Sequence, residues 1–311
     1  MLFSCKSEEK VNVKINRFDT ELYQILKSSP DSLVDGAFQQ KYAEFLPIYI
    51  QGVLRAQPGN GENPMFLLRS FFRDSTLMSI YAVEQEKFVN LEKEEQLLSD
   101  AMTHYKSWFP KEAIPEFSMH VSGLSQSVIT TDKLVSISGD KYLGSDFQFY
   151  KSYFYSYQLP LMASENVVAD AVKAFLQGRF PERPSEVLLD KMIYQGVLVS
   201  AAIELLPEEK ESLVLGFTEN EFDWLKKNEK GVWVYLIENE QLYSTDAVTQ
   251  VKYMDEAPFT SYFGQNSPSR IGRYMGYRIV QSYLQKQNCS ASTLLQTFDA
   301  QKVLSDSGYR P

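Results

Sequence analysis

Apolar residues recur at three- and four-residue spacing from about Asn16 to Trp108, as in Phe18, Leu22, Ile25 and Leu26 and again in Phe38, Tyr42, Phe45 and Leu46. That period belongs to helices that bury one stripe, so this part of the chain is expected to form a helical layer. Gln57 to Pro64, rich in Gly and Pro, interrupts it as a loop. Helices are then expected over Met65 to Asn90, with a break near Arg73, and over Glu92 to Trp108.

Between Phe117 and Gly144 the period shortens. Met119-His120-Val121, Val128-Ile129-Thr130 and Leu134 to Gly139 are short and β-branched, which predicts a small sheet of about three strands. Helical spacing resumes at Ser164 to Phe180, where Val167, Val168, Ala171, Val172, Phe175 and Leu176 make one stripe behind a capping Ser164. Leu188 to Leu206 is apolar almost all round, as a central buried helix would be, and Pro207 closes it. Thr218-Glu219-Asn220-Glu221 is a capping box opening a helix through Trp224, Leu225, Trp233 and Ile237. A last long helix is expected from Pro268 to about Gln285, with Ser267 as its cap and Pro268 in its first turn. The fold class is therefore α+β, mostly helical.

Composition narrows the function. The 311 residues are 44% apolar and 14% aromatic, enough to bury a core. A formal charge of -9 should repel polyanions, so nucleic acid is not an expected partner. No run of about 18 apolar residues could span a bilayer. Two histidines, His104 and His120, exclude a zinc centre built on paired imidazoles from both ends of a motif, and two cysteines, Cys5 and Cys289, allow at most one bridge. Met1-Leu2-Phe3-Ser4-Cys5 has the order of a bacterial lipoprotein box, with the charged start and apolar run that usually precede it missing. An acylated Cys5 would hold the protein at a membrane surface.

The usual catalytic signatures are missing: there is no phosphate-cradling loop, dinucleotide fingerprint, nucleophile elbow or paired-cysteine knuckle. His120 reads as a core or edge histidine in an alternating strand, and His104 as a solvated one late in a charged helix. A gluzincin carries His-Glu-x-x-His on one helix and a glutamate roughly 20 residues later on a second. If Ser164 to Phe180 and Leu188 to Leu206 were those helices, Ala169, Lys173 and Gln195 would replace the ligands, with Asp170 beside them. A protonated lysine there is incompatible with a metal, since it offers no lone pair. The simpler reading makes Asp170 and Lys173 surface charges and Gln195 a buried amide. Tyr243-Ser244-Thr245-Asp246 is polar and could line a cleft. Arg270, Arg273 and Arg278 make the start of the last long helix basic, so Arg270 and Arg273 are candidates for an anion or for pairing with Asp246 or Glu238.

Asp190 to Gly196, Trp233 to Asn239 with Leu242 to Asp246, and Pro258 to Gly264 through Ser267 to Val280 together resemble the gliding motility lipoprotein GldB family of Bacteroidetes. The resemblance spans most of Phe117 to Leu284 and includes the lipobox-like start. It implies a lipoprotein lipidated at Cys5, anchored in the cell envelope with envelope proteins as partners. It also implies a zincin-like fold, because the family is similar to predicted zinc peptidases; this sequence lacks their His-Glu-x-x-His. The expected organisation is a lipobox-like start and linker over 1–12 and one degenerate, zincin-like domain over 13–311, helical to 115 and sheet plus helices from 116. The expected function is non-catalytic binding or assembly in the gliding and type IX secretion apparatus, with no metal and no cofactor. The alternative is a metal-dependent peptidase or hydrolase using non-histidine ligands such as Asp140, Asp170 and Glu204. A third reading is a peptide or glycan receptor using Tyr153, Phe154, Tyr155 and Tyr157.

Overall fold

The computed structural model describes residues 10–57, 59 and 61–311; Cys5 lies outside them. The described residues form two compact units, one of Asn12–Gln96 with Ala113–Val167, the other of Leu97–Glu112 with Val168–Pro311 and residues 10 and 11. The architecture is mostly helical α+β with one four-stranded sheet.

The first unit opens with the two-residue strand β1 (Ile15–Asn16) and continues through α1 (Phe18–Lys27), α2 (Ser32–Lys41), α3 (Phe45–Ile48), α4 (Pro64–Phe71) and α5 (Ser75–Lys87). Three of these helices start where an acid or amide satisfies the free backbone N–H groups: Asp31 for α2, Asn63 for α4 and Asp74 for α5. The break expected near Arg73 is the turn between α4 and α5. The two apolar stripes meet at Phe18, whose fully buried ring packs edge-on against Tyr42, Phe45 and Tyr49 at 4.8 to 4.9 Å. After α3 the chain widens into a π-helical turn, Tyr49–Val53, and the freed carbonyls of Gly52 and Val53 accept from Gln126 and Ser125.

The sheet runs β1-β2-β4-β3, with β2 at Glu116–His120, β3 at Val128–Thr130 and β4 at Leu134–Ser138. β1 and β4 lie parallel to β2, and β3 is antiparallel to β4. Phe117 and Met119 stand beside Val135 and Ile137 on one face, while Ser118, His120, Ser136 and Ser138 occupy the other. Both faces are buried at these positions. Rings of Phe45 and Tyr49 cover the polar face at His120.

Helix α6 (Glu92–Trp108) carries the chain into the second unit, which contains α7 (Val167–Arg179), α8 (Leu188–Leu205), α9 (Glu211–Leu215), α10 (Glu219–Glu238), α11 (Ala247–Met254), α12 (Ile271–Gln287), α13 (Ser292–Leu295) and α14 (Ala300–Ser307). α8 is buried on almost every side, as its uniform hydrophobicity predicts. The Thr218 capping box is formed, with Glu221 reaching back to the Thr218 N–H at 2.8 Å. Two helix starts differ from the expectation. Ser164 makes no cap bond and lies in a short 3-10 turn before α7. α12 begins at Ile271, not at Pro268: the Ser267 hydroxyl is taken by the carbonyls of Gly264 and Thr260, the Pro268 carbonyl accepts from Thr260, and Arg270 turns the chain at φ 57°. Ser267 and Pro268 thus lock the preceding loop instead of starting the helix.

Candidate functional site beside helix α8

Residues 180–186, which carry no regular structure, form a strap beside α8 in the second unit. Tyr194 of α8 donates to the Phe180 carbonyl at 3.0 Å, and Arg183 donates to the Gln296 carbonyl at 3.0 Å, so the strap is held at two points. On one side of it lies a hollow of about 310 Å³ into which Glu182, Lys191, Gln195, Gln250, Asp255 and Arg273 contribute. Lys191 and Gln195, four residues apart, share a face of α8; Gln250 comes from the middle of α11, Asp255 from the residue that follows it, and Arg273 from the first turn of α12.

Arg273 is the fixed point of this hollow. Its Nε donates to the Met254 carbonyl at 3.0 Å, which holds the guanidinium plane. Burial and then the like charge of Arg270 push its pKa down to about 10, against the pull of Glu256, Asp255 and Glu182. Gln250 is also engaged, donating to the carbonyls of Ser244 and Glu186. Among the described residues, the side chains of Glu182, Lys191, Gln195 and Asp255 make no hydrogen bond or ion pair. Partial burial raises the Glu182 carboxyl, and the charges of Lys191 and Arg273 oppose that shift. Two further hollows border Glu182: one of about 330 Å³ beside Ser185, Asp190 and Asp299, and one of about 400 Å³, mostly apolar, walled by Phe180, Pro184, Val197, Leu198, Leu295 and Phe298.

Of the residues picked out in the sequence, Gln195 and Arg273 come together here. Ala169 is fully buried in the α7 packing. Lys173 pairs with Asp170 at 3.0 Å and meets Arg270 at Gly216, where an added Cβ would lie 3.7 Å from Lys173 Nζ and 3.6 Å from Arg270 Nη1. Arg270 donates to the Gly216 carbonyl at 2.7 Å and approaches Glu256 at 3.8 Å, while its Nε is buried without a partner. Tyr243 donates to Gln301, the Ser244 carbonyl accepts from Leu188 N–H and Gln250, and Asp246 caps α11 through Thr249. Ser244 and Asp246 thus brace α8 and α11, and none of the three lines the hollow. The expected pairings of Arg270 or Arg273 with Asp246 or Glu238 are not formed; Glu256 is the acid that Arg270 approaches.

The residues of the metal alternative have local bonds of their own. Asp140 accepts from the N–H groups of Ser122 and Leu124 at 2.9 and 2.6 Å and from the Ser138 hydroxyl, and Glu204 accepts from Ala291 N–H at 2.8 Å and from Ser290. Among the described residues no three His, Cys, Asp or Glu side chains are grouped to hold a metal ion. Of the four aromatics, Tyr155 stacks on Tyr157 with ring planes 8° apart, and Lys141 lies over Phe154 at 3.9 Å.

A second polar group, in the first unit, was not read from the sequence. Glu84 is fully buried in α5; its Oε2 accepts from Gln85, which also donates to Asp19, while its Oε1 has no partner. Arg17 grips Asp19 at 2.6 Å. Burial, and then the charge of Asp19, raise the Glu84 carboxyl well above the usual carboxylate range. Its one sequence signal is its place with Ile80, Tyr81 and Phe88 on a helical face. Buried His120 bonds Ser136 through Nδ1 at 2.8 Å, leaves Nε2 unpartnered, and is pushed down to about 3 by burial.

No curated protein and no solved structure matches the chain. The sequence pattern of a family described as "Gliding motility protein GldB" matches residues 5–311, a span that starts at Cys5 and takes in Gln195, Arg273 and every helix of both units. The chain therefore belongs to the gliding motility protein GldB family.

Proposed function

We propose that this gliding-motility-related protein is a lipid-anchored protein of the cell envelope, attached through Cys5, and that it acts by binding a partner in the gliding and type IX secretion apparatus rather than by catalysis. The hollow beside α8 is the binding site in this reading. One observation carries it: Arg273 and Gln195 open into one concavity with Lys191, Glu182 and Asp255, and all but the anchored Arg273 Nε keep their hydrogen-bonding capacity unspent. Concave sites with a few convergent polar groups are where ligands bind. The bonds that Asp140, Asp170 and Glu204 already make favour binding over metal-assisted hydrolysis.

The test is allele replacement in the native host with Gln195→Ala and Arg273→Lys, followed by colony spreading and immunoblotting. Loss of spreading at unchanged protein level is expected; normal spreading in both variants overturns the assignment of the hollow. Stoichiometric zinc in the purified protein would overturn the non-catalytic reading.

A further inference from the structure

We infer that the hollow beside α8 seats the carboxyl-terminal end of a polypeptide, with the terminal apolar side chain in the adjoining hollow across Glu182; this rests on the proposal that the hollow is the binding site. The Arg273 Nε is committed to the Met254 carbonyl, so the guanidinium is held in one plane with both Nη groups unbonded. A fixed, largely buried guanidinium edge is the complement of a carboxylate, which it binds through two parallel hydrogen bonds. Lys191, also unpartnered, supplies a second positive charge to the same hollow.

The acids in the hollow decide what kind of anion fits. Glu182 and Asp255 line the same hollow as the two cations, so a multiply charged inorganic ion would be repelled about as strongly as attracted. A peptide end carries one negative charge and, within a few ångströms, main-chain N–H donors. Arg273 and Lys191 take the carboxylate, while Glu182 and Asp255 accept from those N–H groups. Gln195 can donate to a main-chain carbonyl and accept from an N–H with one amide. Beyond Glu182, Phe180, Pro184, Val197, Leu198 and Phe298 wall the larger hollow of about 400 Å³. That space suits one large apolar side chain, whose burial adds affinity in proportion to its area.

Isothermal titration of the full-length protein in detergent tests this with four probes: acetyl-Ala-Ala-Phe with a free carboxylate, the same peptide as its carboxamide, its Gly-ended analogue, and inorganic phosphate. The free acid is expected to bind saturably. The carboxamide should be weaker by at least about tenfold, the loss expected when one good charge-assisted pair is removed. Phosphate at equal concentration should not compete. Arg273→Lys should weaken the acid by a similar factor and leave the carboxamide unchanged. Phe298→Ala should weaken the Phe-ended peptide but not its Gly-ended analogue. Equal binding of acid and carboxamide, no binding of the acid at millimolar concentration, or full competition by phosphate would each overturn the inference. Loss of spreading in the Arg273 and Gln195 strains alongside any of those results would leave the hollow as the binding site and reject only the peptide end.

Discussion

Gly196 of α8 and Gly276 of α12 bring the two helices into backbone contact: a Cβ at Gly196 would lie 2.4 Å from the Gly276 carbonyl, and one at Gly276 would lie 1.8 Å from the Met192 carbonyl oxygen. Any side chain here would force the helix axes apart, because the obstacle is backbone and cannot rotate away. The crossing also sets the groove, since Gln195 precedes one glycine and Arg273 lies three residues before the other.

Gly276→Ala should therefore cost about 3 kcal/mol or more, the upper end for forced core overlap, or prevent folding of the second unit. Gly231→Ala is the control. Gly231 is inside α10, and a Cβ added there would meet nothing within 4 Å, so alanine should stabilise by up to about 1 kcal/mol through helix propensity. Urea unfolding of both variants checks this; an unchanged midpoint for Gly276→Ala would contradict the close approach.

Glu229 joins the last residues of the chain to the helices. It accepts from Tyr309 at 2.6 Å, Tyr274 at 2.7 Å and Arg278 at 2.9 Å. Burial alone would raise its carboxyl, but these three donors outweigh burial and hold it below the ordinary value. A lowered folded-state pKa contributes stability above the unfolded value of about 4.5, and that stability is lost as pH falls through the folded value. Glu229→Gln should destabilise at neutral pH by about 1 to 3 kcal/mol, because charged hydrogen bonds are replaced by weaker ones. The gap from the parent should close below pH 4, which thermal melts at a series of pH values would show.

Two buried groups in the first unit give stability opposite slopes. The Glu84 carboxyl, facing Asp19, Arg17, Gln85 and Asp140, is raised, so the folded state holds a proton that the unfolded chain releases above about 4.5, and stability falls as pH rises. His120 is pushed down to about 3. The unfolded chain takes up a proton below about 6.5 that the folded state refuses, so stability falls as pH drops. Each contributes a slope of up to about 1.4 kcal/mol per pH unit. Glu84→Gln should raise the melting temperature most at pH 8 and least near pH 4; an equal shift at both would show that the carboxyl is not protonated in the fold.

Much of the helical framework was legible because its signals are local. The stripe from Glu92 to Trp108, the Thr218 capping box and the uniform hydrophobicity of α8 all depend on residues within one or two turns, and the helices follow them. β1 was not legible, since two residues carry no period and Ile15 is a strand only because Phe117 pairs with it. Ser267 and Pro268 misled for the opposite reason: they carry a local start signal, but Thr260 claims the Pro268 carbonyl and delays the helix to Ile271.

By itself the sequence determined the helical class, the place of the small sheet and the family resemblance, because propensity, capping and hydrophobic period act between near neighbours. Only the tertiary structure decided which polar residues are buried and which share a hollow. Glu84, whose one local signal is its place on the apolar face of α5, is sealed in only when Gly139 approaches it from a strand end. Gln195 and Arg273, drawn from α8 and α12, and Asp255, at the end of α11, meet only after Gly196 and Gly276 have let α8 and α12 close on each other.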